Sequence, residues 1–130
     1  IKSFINNEDI FINGDGETSR DFCYVENIVK ANLLASLTEK SEAFGETFNI
    51  ACNRRTTLLE LFKLLRKKLS VLNPNILKIQ PKFKDFLPGD IRHSHADITK
   101  ANRILLYEPE KYISEGLDKS LAWYLSNSND

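Results

Sequence analysis

Apolar positions change their spacing several times along the chain, and each change marks an element. Residues 9–13 (Asp9-Ile10-Phe11-Ile12-Asn13) form a short β-type run. The loop Gly14-Asp15-Gly16-Glu17-Thr18-Ser19 follows, and its Asn-Gly and Asp-Gly pairs are turn signals. Phe22-Cys23-Tyr24-Val25 reads as a second short strand. From Val25 to about Thr38 the apolar residues Val25, Ile28, Val29, Leu33, Leu34 and Leu37 recur near helical spacing. Gly45 breaks that region, and Thr47-Phe48-Asn49-Ile50-Ala51 is the next strand candidate. Thr57 and Glu60 have capping-box spacing, with Leu58, Leu61, Phe62, Leu65 and Leu69 on one face of the helix behind them. Asn73-Pro74-Asn75 stops that helix, because proline cannot continue it. Ile76–Gln80 reads as a strand, and a loop through Pro88-Gly89-Asp90 follows. Asp97 is placed to cap a helix carrying Ile98, Ala101, Ile104 and Leu105. After Pro109 a last helix from about Ser114 aligns Leu117, Leu121, Tyr124 and Leu125, and the polar tail from Ser126 to Asp130 frays. Strands mixed with about four helices predict an α/β or α+β class, with no internal repeat.

The length of 130 residues fits one domain or a piece of a larger one. A hydrophobic share of 42% with 28% charged residues is the balance of a soluble globular protein and excludes disorder throughout. Eighteen basic residues against 18 acidic ones give no net charge, which argues against a dedicated nucleic-acid binder. No apolar run nears the roughly 20 residues of a membrane helix. No signal peptide is visible, so no membrane partner is expected. Cys23 and Cys52 are too few for a disulfide framework; reduced thiols in a cytoplasmic protein are expected. The chain starts at Ile1 inside an amphipathic pattern and contains no methionine, so a fragment is expected.

Candidate chemistry concentrates in two segments. In residues 13–22 the glycines allow a backbone to approach a ligand, and Arg20 offers a planar fork to a phosphate or carboxylate. The competing reading is a surface turn with a solvated arginine. Gly14-x-Gly16 does not complete a dinucleotide fingerprint, because the sixth position is Ser19 and no long helix opens behind it. In residues 88–97, Asp90 is placed to accept from a ligand hydroxyl or to form an Asx-turn. His93, His95 and Asp97 alternate as they would on one face of a strand, but Asp97 is better used as a helix cap, and no metal is expected. Tyr107 and Lys111 have the spacing of a catalytic dyad, which Pro109 between them opposes. Cys23 and Cys52 read as small core residues, and Trp123 with Tyr124 as packing residues.

The stretch from Asn13 to Val25 resembles the G-D-G-x-x-x-R-D-F-x-Y-V segment of extended short-chain dehydrogenase/reductases, the group of nucleotide-sugar epimerases and dehydratases. Phe48-Asn49-Ile50-Ala51 resembles the next family strand, Pro88–Ser94 the P-G-D-x-R-H-S segment, and Glu115-Gly116-Leu117 with Trp123-Tyr124 the closing helix. The wording around Arg20, with Arg54-Arg55-Thr56-Thr57-Leu58, is similar to UDP-N-acetylglucosamine 4-epimerases of bacterial polysaccharide synthesis.

The resemblance implies that residues 1–130 are the C-terminal, UDP-sugar-binding portion of an α/β protein. The NAD loop and Tyr-x-x-x-Lys dyad then lie in an N-terminal Rossmann domain, absent here, and the chain alone is inactive. In such enzymes NAD takes hydride from sugar C4, the 4-keto sugar turns over, and hydride returns to its other face. UDP must be held tightly and the sugar loosely. The resemblance assigns Arg20 to the diphosphate, Phe11 and Asn13 to the uridine pocket, Asp90 to the ribose side, and Ser94 to the substrate. Where the family usually carries a second arginine, before Pro-Gly-Asp, this chain has Leu87; Lys84 and Arg92 are the cations that would compensate. The parent is expected to be a homodimer joined through its Rossmann half. A 4,6-dehydratase or decarboxylase, and a non-catalytic nucleotide-sugar-binding module, stay open as alternatives.

Overall fold

The computed structural model describes residues 1–126, which divide into two compact units. Of the described residues, the first is built from 1–20, 56–93 and 117–126; the second takes 21–55 and 94–116. The expectation for the tail at 127–130 lies outside the described residues.

In the first unit a four-residue helix α1 (Lys2–Ile5) precedes β1 (Phe11–Asn13). After the glycine loop comes β2 (Ser19–Arg20), paired antiparallel with β3 (Thr56–Thr57). Helix α3 (Leu58–Leu69) starts at Thr57 with the expected capping box: the Thr57 hydroxyl accepts the Glu60 N–H at 3.1 Å and the Glu60 carboxylate accepts the Thr57 N–H at 2.8 Å. Its apolar face delivers Phe62 and Leu69 to a core with Phe4, Ile12, Ile76 and Leu121. The rings of Phe4 and Phe62 lie 5.2 Å apart.

The predicted strand at Ile76–Gln80 is corrected. Pro74 opens a 3-10 turn over Pro74–Lys78, and the Asn73 side chain caps it by accepting the Asn75 N–H at 3.0 Å. The strand forms beyond Pro81 instead, as β4 (Lys82–Lys84), parallel to β1. Its register sets Ile12 against Phe83 and Asn13 against Lys84.

In the second unit, α2 (Val25–Leu37) has the predicted extent. Its packed face is another one: Asn27 and Ala31 are buried, whereas Val25, Val29, Leu33 and Leu37 are exposed. Asn27 is worth burying because its amide is fully used. Its oxygen accepts from the Glu110 and Lys111 N–H groups at 3.0 and 3.1 Å, and its nitrogen donates to the Lys111 carbonyl at 2.6 Å. The expected strand at Phe22–Val25 is absent because Tyr24 already serves as the extended N-cap of α2. The expected strand at Thr47–Ala51 is also absent. Side chains, not a neighbouring strand, take up its backbone groups: Lys100 donates to the Thr47 carbonyl at 2.9 Å and Tyr107 to the Ala51 carbonyl at 2.8 Å.

Helix α4 (Thr99–Leu105) contributes Ala101, Ile104 and Leu105 to this unit's core. Asp97 acts one residue earlier than a regular cap, accepting the Thr99 N–H at 2.8 Å ahead of the N-cap residue Ile98. Helix α5 (Ile113–Ser126) is the fifth, one more than the sequence suggests, the short α1 being the addition.

Tyr107 is fully buried and lies outside any helix, so it forms no i, i+4 dyad with Lys111. Its hydroxyl lies 3.9 Å from the Cys23 thiol. Both cysteines are free thiols, and Cys52 is buried while Cys23 is partly so. Burial, reinforced by the neighbouring Cys23, pushes the Cys52 thiol from its ordinary 9.0 up to about 12. The sign follows from proton counting: above about pH 9 the unfolded chain has lost this proton and the folded chain keeps it, so stability falls as pH rises. Urea denaturation between pH 8 and 10.5 is expected to show a steeper loss for the parent than for Cys52→Ala. Equal slopes would mean the thiol ionises as readily folded as unfolded.

Candidate functional site

Alternation along β1 turns Ile12 into the core and leaves Phe11 and Asn13 together on the opposite face. Phe11 is about half exposed. The parallel register lets Lys84 reach diagonally across, and its ammonium sits 3.8 Å from the Phe11 ring centroid. Phe11 and Asn13 border an apolar hollow of about 250 Å³, closed by Phe4, Leu58 and Phe62 from α1 and α3. Asn13 also borders an open depression of about 500 Å³ with Lys84, Phe86 and Leu87.

The glycine loop is filled by protein. A Cβ on Gly14, at φ +76°, would fall 2.3 Å from the Phe86 ring, and one on Gly16, at φ +84°, 3.1 Å from Leu59. The close approach expected of a ligand is thus made by side chains of α3 and of the segment after β4. These glycines do not fit a dinucleotide cradle: the chain leaves them into β2, not into a helix N-terminus. Asp15 turns back to accept the Arg92 guanidinium at 2.5 Å and the Glu17 N–H at 2.9 Å. These two bonds, Arg92 first, hold its carboxyl below the usual carboxylate range.

Arg20 is neither a solvated arginine nor free. Its Nη2 donates to Asp90 Oδ1 at 2.5 Å, and its Nη1 to the Ser19 carbonyl at 2.9 Å. Both side chains stay about one-third exposed. Asp90 arrives by a turn over Leu87-Pro88-Gly89-Asp90, closed by the Asp90 N–H on the Leu87 carbonyl at 3.1 Å with Gly89 at φ +79°. Beside this pair, the buried Ser19 hydroxyl lies 2.9 Å from His93 Nδ1. Of the cations weighed against Leu87, Arg92 is committed to Asp15, whereas Lys84 is held by an aromatic face. Leu87 itself is half exposed.

The structure therefore brings Phe11, Asn13, Arg20 and Asp90 into one unit. Ser94 is exposed and belongs to the other. His93, His95 and Asp97 do not share a strand face, because residues 94–98 are irregular. Among the described residues no group of three or more His, Cys, Asp or Glu side chains is placed to hold a metal, and no helix is long and apolar enough to cross a membrane. Sequence reading missed the Ser19–His93 contact. The two residues are 74 apart in sequence, and no spacing rule links them.

Residues 1–51 match the NAD dependent epimerase/dehydratase family. The chain is 32% identical to the uncharacterized UDP-glucose epimerase YtcB of Bacillus subtilis, over 98% of this chain and 37% of that protein. The solved UDP-glucose 4-epimerase of Thermotoga maritima, with UDP-glucose, superposes with a TM-score of 0.82 at 35% identity, covering 98% of this chain and 38% of that one. The UDP-N-acetylglucosamine 4-epimerase of Methanobrevibacter ruminantium, in complex with UDP-N-acetylmuramic acid, gives 0.78 at 34% identity, covering 95% and 37%. The chain thus spans under two-fifths of the length of these relatives and corresponds to their C-terminal portion. For the glycine loop, Gly14→Ala is expected to lose about 1–3 kcal/mol of stability in urea denaturation, through the positive φ and the clash with Phe86.

Proposed function

We propose that this chain, which belongs to the nucleotide-sugar epimerases of the extended short-chain dehydrogenase/reductase family, is the substrate-binding portion of an NAD-dependent UDP-sugar 4-epimerase. The observation that carries the reading is the Arg20–Asp90 fork, in the same unit as the Phe11–Asn13 face. Arg20 uses two of its five N–H donors inside the protein and keeps the rest for an oxyanion. A one-third-exposed guanidinium, pre-aimed by a carboxylate and a carbonyl, suits a diphosphate. The Phe11 ring offers a flat apolar face to a base and Asn13 an amide for its polar edge.

In this role Arg20 grips the diphosphate, Phe11 and Asn13 line the uridine pocket, and Asp90 serves the ribose side while orienting Arg20. Ser94, which directly follows His93, keeps the substrate-facing role that the family resemblance implies. NAD supplies hydride chemistry at C4 in such a parent, and its binding falls mainly to the parent's N-terminal Rossmann half. The part played here is to hold the non-reacting nucleotide, whose binding energy keeps the keto sugar from escaping. UDP-N-acetylglucosamine or UDP-glucose, used in cytoplasmic polysaccharide synthesis, is the substrate this reading takes. Support comes from the names of the relatives of similar sequence.

Calorimetric titration with UDP, with folding followed by circular dichroism, tests the reading. Saturable heat is expected for the parent chain, and Arg20→Ala is expected to weaken binding at least tenfold, the loss of one or two charge-assisted bonds of about 1.5–3 kcal/mol each. No heat from a folded parent chain sinks the proposal. A separate variant, Leu87→Arg, is expected to tighten UDP binding about tenfold by adding one such bond; unchanged affinity would place position 87 out of reach of the diphosphate.

A further inference from the structure

We propose that His93 is a positioning residue for Arg20, fixing the guanidinium before any oxyanion arrives. The inference rests on the reading of Arg20 as a diphosphate grip and adds the group that holds that grip in place.

Ser19 connects the histidine to the arginine. It is 3% exposed, and every polar group it owns is spoken for. Its N–H donates to the Arg92 carbonyl at 2.9 Å, its hydroxyl is hydrogen-bonded to His93 Nδ1 at 2.9 Å, and its carbonyl accepts from Arg20 Nη1 at 2.9 Å. A parallel bridge joins Ser19 to His93 directly. Ser19 is also paired with Thr57 on its other side. The Ser19 carbonyl, one of two anchors for Arg20, is therefore fixed in direction by contacts that His93 completes.

The second anchor depends on the same histidine. Asp90 lies three residues before His93 in the segment after β4, and its carboxylate takes Arg20 Nη2 at 2.5 Å. Fastening His93 to Ser19 ties down the far end of the segment that presents Asp90. A closed ring results: Arg20 to Asp90, along the chain to His93, across to Ser19, and back to Arg20 through the Ser19 carbonyl. Arginine carries large rotamer entropy when free. A ring that removes it in advance lowers the cost of binding. His93 is itself exposed and makes its contribution through Ser19, not through the ligand.

The test measures UDP affinity of the whole chain for the parent, His93→Ala, His93→Asn, Arg20→Lys and the double variant Arg20→Lys/His93→Ala, with thermal melts of each. His93→Ala is expected to weaken UDP about tenfold in a chain that still folds, with a melting midpoint lowered by several degrees as the buried Ser19 hydroxyl loses its partner. His93→Asn, whose amide sits where Nδ1 was, is expected to restore affinity to within threefold. On the Arg20→Lys background, where a single nitrogen replaces the two that span Ser19 and Asp90, His93→Ala is expected to cost less than twofold. Undiminished affinity in folded His93→Ala, or an equal tenfold loss on the lysine background, overturns the inference and leaves the UDP reading standing. A parent that binds no UDP sinks the UDP reading instead. A ligand-free measurement then decides the positioning role: amide hydrogen exchange at Ser19 is expected about tenfold faster in His93→Ala with α2 unchanged, and unaltered exchange overturns it.

Discussion

Everything in the first unit hangs on one constraint: two strands of three residues each, far apart in sequence, must run parallel. A parallel pair cannot be closed by a hairpin and needs a long crossover. Here the connection carries α3, whose apolar face becomes the floor beneath Ile12. Parallel strands also send their following segments out at the same end. The glycine loop leaves β1 there, and the segment holding Phe86, Asp90 and His93 leaves β4 there. This is why residues 70 or more apart meet: Asp15 with Arg92, Arg20 with Asp90 and Ser19 with His93. The carboxyl ends of parallel strands are where open α/β sheets take their ligands, for this same reason of convergence.

The charge pattern at that end follows from the convergence. Arg20 and Arg92 each face an aspartate there, and Lys82 faces Asp9 at the opposite end of the strands. Lys84 is held otherwise, on the face of Phe11. Exposed pairs of this kind contribute little to stability. Their effect is geometric: each aspartate restricts where a long side chain points.

Legibility in the sequence tracked how local the cause was. The capping box at Thr57 and Glu60 and the extent of α2 were readable because a handful of neighbouring residues decide them. The strands at 22–25, 47–51 and 76–80 were misread because strand formation needs a partner, and composition says nothing about partners. At 47–51 the backbone found side chains; at 74–78 a proline and an asparagine cap prevailed over apolar spacing. Arg20 and Asp90 were picked out as candidates, but their pairing with each other was not. The glycines answer to a need for closeness, and what comes close at Gly14 is Phe86, a residue 72 positions away that no local pattern signals. Helix α2 shows the limit of periodicity: its spacing was right, yet a fully bonded Asn27 proved a better buried residue than Val25 or Leu33.

The first unit is assembled from the beginning, the middle and the end of the described chain, with the second unit's residues lying between its pieces in sequence. Phe4 and Ile12 share a core with Leu121, and that core cannot close until residue 121 has been made. At ribosomal speeds of about 5–20 residues per second, Phe4 is synthesised roughly 5–25 s before Leu121, its last core neighbour. Such non-local closure is slow once begun, because loop entropy is lost before contacts reward it. Phe4 and Ile12 therefore remain without their completed core for that interval.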